Sequence, residues 1–210
     1  MEMLGGSDLE GIVFLGVAWF IWIMATFFLS RTSKERLKIA FIVLMMIILS
    51  PYEFTFLDFQ INIAAFSLYI YLFVEVVQHK KKSGLYLFLS SFIIMLAYVS
   101  FLMMELYDPV WVVFDRKWMV GFILVYICLL LEGSKKLRFY PILLGTLQGE
   151  LIFSIILNRF SFAYPIGSLS FFDTIGTALF LLSTWSFLGY ATVFIEHHTN
   201  HSGRGKQKTS

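Results

Sequence analysis

Seven apolar runs, each closed by a short polar segment, succeed one another along the chain. They cover about residues 11–30, 37–57, 60–78, 84–106, 118–132, 140–158 and 174–196. A helix needs roughly 20 mainly apolar residues to cross about 30 Å of hydrocarbon. Runs of that kind are read as helices because lipid offers backbone amides no partner. The second run carries Pro51 and ends in YEFTFL, so its uninterrupted apolar part is short. A proline near one end of a span is tolerated, and the run is read as a crossing.

The polar segments alternate in charge. RTSKERLK after the first run, HKKK after the third, GSKKLRF after the fifth and the tail after the seventh hold 13 of the 16 basic residues. The remaining segments hold Arg116, Lys117 and Arg159 together with most of the acids, among them Glu53, Asp108, Asp115 and Asp173. Lysine and arginine collect on the cytoplasmic side of membranes. The pattern therefore predicts seven transmembrane helices with the amino end outside and the carboxyl end in the cytoplasm. Without a crossing by the second run the alternation would fail. The expected organisation is an all-α membrane domain over residues 1–196 and a disordered, basic cytoplasmic tail over 197–210.

Composition agrees with lipid as the solvent. Of 210 residues, 59% are hydrophobic and 14% charged, whereas a soluble domain carries about 25% charged residues. The acidic opening MEMLGGSDLE is unlike the positive leader of a cleaved signal peptide, so the first run is expected to be retained. Cys128 has no second cysteine to pair with.

Several activities lose their chemistry here. The seventh run has no lysine for a retinal Schiff base, and no aspartate lies inside any run as drawn. The four histidines (His79, His197, His198 and His201) all fall on the cytoplasmic side, away from any buried serine. The three in the tail have no cysteine or carboxylate partner, so a solvated tail is expected rather than a metal site. No enzymatic activity, cofactor, metal or nucleic-acid partner is expected. The basic segments are expected to touch lipid headgroups. Glu75, Glu132 and Glu196, which end runs beside those bases, are expected to form ion pairs at headgroup depth.

One residue breaks the apolar pattern sharply. Glu150 lies in YPILLGTLQGELIFSIILN, nine residues after Pro141 and so about 13 Å along a helix, near the bilayer centre. An acidic side chain there costs about 2.5–3.5 kcal/mol to insert. Thr146, Glu150, Ser154 and Asn158 recur every four residues and form a polar stripe on one helical face. Gly145 and Gly149 beside it make a G-x-x-x-G, which lets a second helix approach closely. No base lies at the same depth in any run, so the carboxyl is expected to be protonated much of the time and to donate across the bundle. Candidate partners are Tyr98, Tyr126, Thr177, Ser183, Thr184 and Ser186. Such a group either staples helices or carries a proton along a solute path.

The opening GIVFLGVAWFIWIMATFFLSRTSKERLKIAFIVLMMIILSPYEF resembles the YphA-type membrane proteins of Bacillus and related bacteria. The W-x-x-W core, the F-F-L-S-R exit and the Ser50-Pro51-Tyr52 break carry the resemblance. It implies a small multi-pass protein of the bacterial plasma membrane, and it brings no catalytic residues across. The expected function is a non-enzymatic membrane scaffold or accessory subunit, with a membrane-protein partner or a second copy of the chain as the candidate partners. The alternative is a small proton-coupled carrier using Glu150.

Overall fold

The computed structural model describes residues 10–29, 34–56, 59–78, 81–135 and 137–205. The expectations placed on Glu2, Asp8, Arg31, Asp58, His79, Lys80, Lys136 and residues 206–210 lie outside the described residues. Seven α-helices are present among the described residues: α1 Ile12–Ile23, α2 Lys34–Leu49, α3 Ile63–Gln78, α4 Lys81–Tyr107, α5 Arg116–Leu131, α6 Phe139–Arg159 and α7 Leu169–Gly205. A π-helical turn, Met24–Phe28, continues α1.

The helices are apolar on both their inner and outer faces, and α3 shows why. Ala64, Ala65, Leu68, Leu72 and Val76 form its buried stripe, at the spacing that puts side chains on one helical face. The opposite face carries Phe66, Ile70, Phe73, Val74 and Val77, all exposed. A water-facing helix would be polar there. The same holds on α5, where Leu130 is 69% exposed, and on α7, where Phe187 is 71% exposed. Gly84–Tyr107, Phe139–Arg159 and Leu169–Tyr190 are long and apolar enough to cross a membrane. The others are shorter. A 16-residue helix such as α2 or α3 rises only about 24 Å.

Contacts fix which helix ends meet. At one end the start of α1 meets the start of α7, where Gly11 and Phe14 bond to Asp173. Arg116 at the start of α5 pairs with Glu105 at the end of α4, 3.1 Å apart. At the other end Lys38 of α2 pairs with Glu75 of α3, and the Tyr140 hydroxyl of α6 donates to Glu75 over 3.4 Å. The expected ion pair at Glu75 is thus present. Glu132 is instead buried and caps its own turn, accepting from the Ser134 amide at 2.9 Å.

The second run needs correction. Helix α2 ends at Leu49, and YEFTFL does not continue it. Residues Glu53–Phe56 (β1) and Phe59–Asn62 (β2) form an antiparallel hairpin with Glu53 opposite Asn62 and Phe56 opposite Phe59. Pro51 cannot donate to the helix ladder, and Phe, Thr and Ile suit extended backbone. The hairpin also moves the start of α3 from residue 60 to Ile63. Asn62 makes the corner: its Oδ1 accepts from the Ala64 amide at 2.9 Å, and its Nδ2 donates to the Ser50 carbonyl at 2.7 Å.

The connection from α6 to α7 docks on this hairpin. The Asn62 amide donates to the Ile166 carbonyl, and the Ile166 amide donates to Gln60. Gly167 completes the approach with φ of +80°, its α-carbon so close to Ala65 that a Cβ would stand 2.4 Å from it. Helix α7 begins at Leu169 rather than 174 and continues past Glu196 to Gly205, through residues 197–205, for which a disordered tail was expected. No proline interrupts that stretch.

Candidate functional site: the buried carboxyl between α4 and α6

Helix α6 is the most enclosed element, and the packing of its glycines explains why. A Cβ on Gly145 would stand 2.6 Å from the Ser91 carbonyl oxygen and 2.7 Å from Ile94. One on Gly149 would stand 2.7 Å from Cδ1 of Tyr98. The G-x-x-x-G face therefore lies directly on α4, as the small-residue pattern predicts.

That approach brings Tyr98 to Glu150. Both are buried, Glu150 completely, and the Tyr98 hydroxyl donates to Oε2 at 2.8 Å. Of the expected partners only Tyr98 is used. Tyr126 is exposed on α5. Thr177, Thr184 and Ser186 donate to backbone carbonyls four residues back in α7, and Ser183 faces outward.

The rest of the stripe has distinct tasks. Thr146 is buried and donates to the carbonyls of Ile142 and Leu143. Ser154 donates to the Tyr164 carbonyl at 2.8 Å, tying α6 to the chain that follows it. Asn158 is half-buried, and its carbonyl accepts from the Ser161 amide. The stripe thus faces protein along its length, but it does not form one continuous network.

Two neighbours of Glu150 were not foreseen. Tyr164 stands edge-on to Phe153, ring centroids 5.0 Å apart, and its hydroxyl and the Gly167 amide lie beside the Glu150 carboxyl. Arg116 from α5 is near enough to act on that carboxyl electrostatically, and it also touches Tyr164. No base is expected at this depth inside any run, and Arg116 acts on the carboxyl from just outside the fifth one. Arg116 precedes the fifth apolar run in sequence and opens α5, which follows the turn over Pro109–Trp111. Oε1 of Glu150 nevertheless has no hydrogen-bond partner.

A second buried carboxylate is Asp173, for which the sequence pattern predicts a loop before the seventh run. It lies in the first turns of α7 and is fully buried. Oδ2 accepts from the Gly11 amide and Oδ1 from the Phe14 amide, each at 2.9 Å, and Lys117 reaches Oδ2 at 3.4 Å. It caps the start of α1, where amides lack partners and the helix dipole favours negative charge. Only the residue type and its place before a span could have hinted at this.

A family model, that of the YphA-like integral membrane proteins, matches residues 10–208. The chain is 26% identical over 195 residues to the Uncharacterized protein YphA of Bacillus subtilis (strain 168), which covers 91% of this chain and 95% of that protein. No solved structure matches.

Proposed function

Because this chain belongs to the YphA-like integral membrane protein family, we propose that it crosses the plasma membrane seven times and acts there as a non-enzymatic scaffold or accessory subunit. The observation carrying this reading is how the polar groups of α6 are spent. Glu150 is bound to Tyr98 on α4, and Ser154 to the chain leading into α7, so the costly polar atoms lock helices together. A partner would meet the apolar outer faces of the bundle.

Seven crossings are supported by the way the helix ends meet. The Arg116, Lys117 and Asp173 end also carries the acidic segments, and the Lys38 and Arg138 end carries the basic ones, which favours the former as the outer face. Exposed Tyr107, Phe114, Phe160 and Phe162 surround the outer end, where aromatic rings favour the membrane interface. The short helices are accommodated by local thinning of the bilayer. Reporter fusions after residues 32, 82, 134 and 205 are expected to be cytoplasmic, and a single external one breaks the map.

The unpaired Oε1 of Glu150 favours a second reading, a proton-coupled carrier. Glu150→Gln and Glu150→Leu separate the two. Gln keeps the hydrogen bond with Tyr98 but cannot exchange a proton, whereas Leu leaves the buried phenol unsatisfied at about 1–3 kcal/mol. A scaffold keeps its cellular function in Gln and loses stability in Leu. Proton or solute flux in liposomes that disappears in Gln would establish the carrier instead.

A further inference from the structure

Glu150 has polar neighbours towards one end of the bundle and mainly apolar ones towards the other. Towards the Arg116 end the groups become steadily more exposed. Glu150 is fully buried, Tyr164 beside it is half-buried, and the Arg116 and Glu105 side chains are 35% and 24% exposed. In the opposite direction the next polar side chain on this face of α6 is Thr146, which is bound to its own backbone. Around and beyond it stand Leu87, Ile94, Ile142, Leu144 and Leu147, each no more than 5% exposed. Oε1, buried and without a partner, is the atom left to take a proton.

We propose that Glu150 is a proton-binding site that exchanges with water only through Tyr164 and the Arg116–Glu105 pair. In the outward step the Tyr164 hydroxyl closes onto Oε1, takes its proton and gives its own to water at the Arg116–Glu105 surface. The phenol ends neutral and the carboxylate keeps the charge, facing Arg116. The other ionisable groups around the site are occupied. Tyr98 of α4 donates to Oε2. Asp173 of α7 spends both oxygens on α1 amides and Lys117. Glu75 of α3 lies at the far end with Lys38 and Tyr140. This deepens the proton-site reading of Glu150, and only the naming of the open end as the outer face rests on the seven-span topology.

The test uses the full chain in proteoliposomes, with orientation read from protease access to the carboxyl tail. Infrared difference spectra report the carbonyl stretch of a protonated carboxyl, assigned to Glu150 by its loss in Glu150→Gln. The band is expected to respond to a pH step on the face opposite the tail and to ignore one on the tail face. Tyr164→Phe keeps the ring against Phe153 and the carbonyl that Ser154 uses, yet is expected to slow the response about tenfold or more. A response from the tail face, an equal response from both, no titrating band, or an unchanged rate in Tyr164→Phe would each overturn the proposal. Because sidedness is referred to the molecule's own ends, a failed topology would show in the reporter fusions without altering this result.

Discussion

Replacing Asp173 with Asn is expected to destabilise the bundle by about 2–3 kcal/mol, and replacement with Ala by about 3–5 kcal/mol. The carboxylate is fully buried and accepts two amides from the start of α1 while facing Lys117. Asn keeps one acceptor but turns an amide donor towards a backbone donor, and it leaves the lysine unpaired. Ala strands both amides and the charge. Thermal unfolding in detergent measures the loss. The Lys117 contact, long at 3.4 Å and with a 26% exposed lysine, is the weaker half, so Lys117→Met alone is expected to cost about 1 kcal/mol or less. If Asp173→Asn unfolds at the wild-type temperature, the carboxylate is not what anchors α1 to α7.

Gly145→Val is expected to prevent assembly of α4 on α6, and Gly145→Ala to cost about 2–3 kcal/mol, at the upper end of ordinary overpacking. The new Cβ would overlap the Ser91 carbonyl oxygen as well as Ile94. Backbone cannot rotate away, so the helices must separate. Gly149→Ala is expected to be milder because the obstructing atom belongs to the Tyr98 ring. Tilting that ring carries its hydroxyl off Glu150, so this variant also disturbs the carboxyl. Gly16 on α1, where a Cβ would meet nothing within 4 Å, serves as the control. Gly16→Ala is expected to be neutral or stabilising by up to about 1 kcal/mol. Folded yield in membranes ranks the variants, and equal yields for Gly145→Val and Gly16→Ala would refute the close approach.

Much of this molecule is legible along the chain because the relevant forces are local and periodic. Apolar runs of helical length specify the seven helices, and five of them lie close to their expected places, while α2 stops early and α7 runs longer at both ends. The polar stripe and the paired glycines of α6 follow from the 3.6-residue repeat. In the fold the two glycines lie against α4, and Tyr98, one of the expected partners, bonds Glu150. The second run misleads because Phe, Ile and Tyr are apolar in a helix or a strand alike. Pro51 ends α2, and cross-strand pairing then claims residues 53–56 and 59–62.

Length, apolar pattern and the alternation of basic segments, which are properties of the chain itself, settle that this is a helical membrane protein with one costly acid in α6. Folding alone decides what that acid meets. Tyr164 and Arg116 come from segments whose direction no periodicity encodes, and the turns after α4 and α6 aim them at Glu150. Asp173 becomes a cap, and Asn62 a corner, only because α1, α3 and the hairpin arrive beside them. Side-chain type records the cost of burying a polar atom; the partner that offsets it exists only in three dimensions.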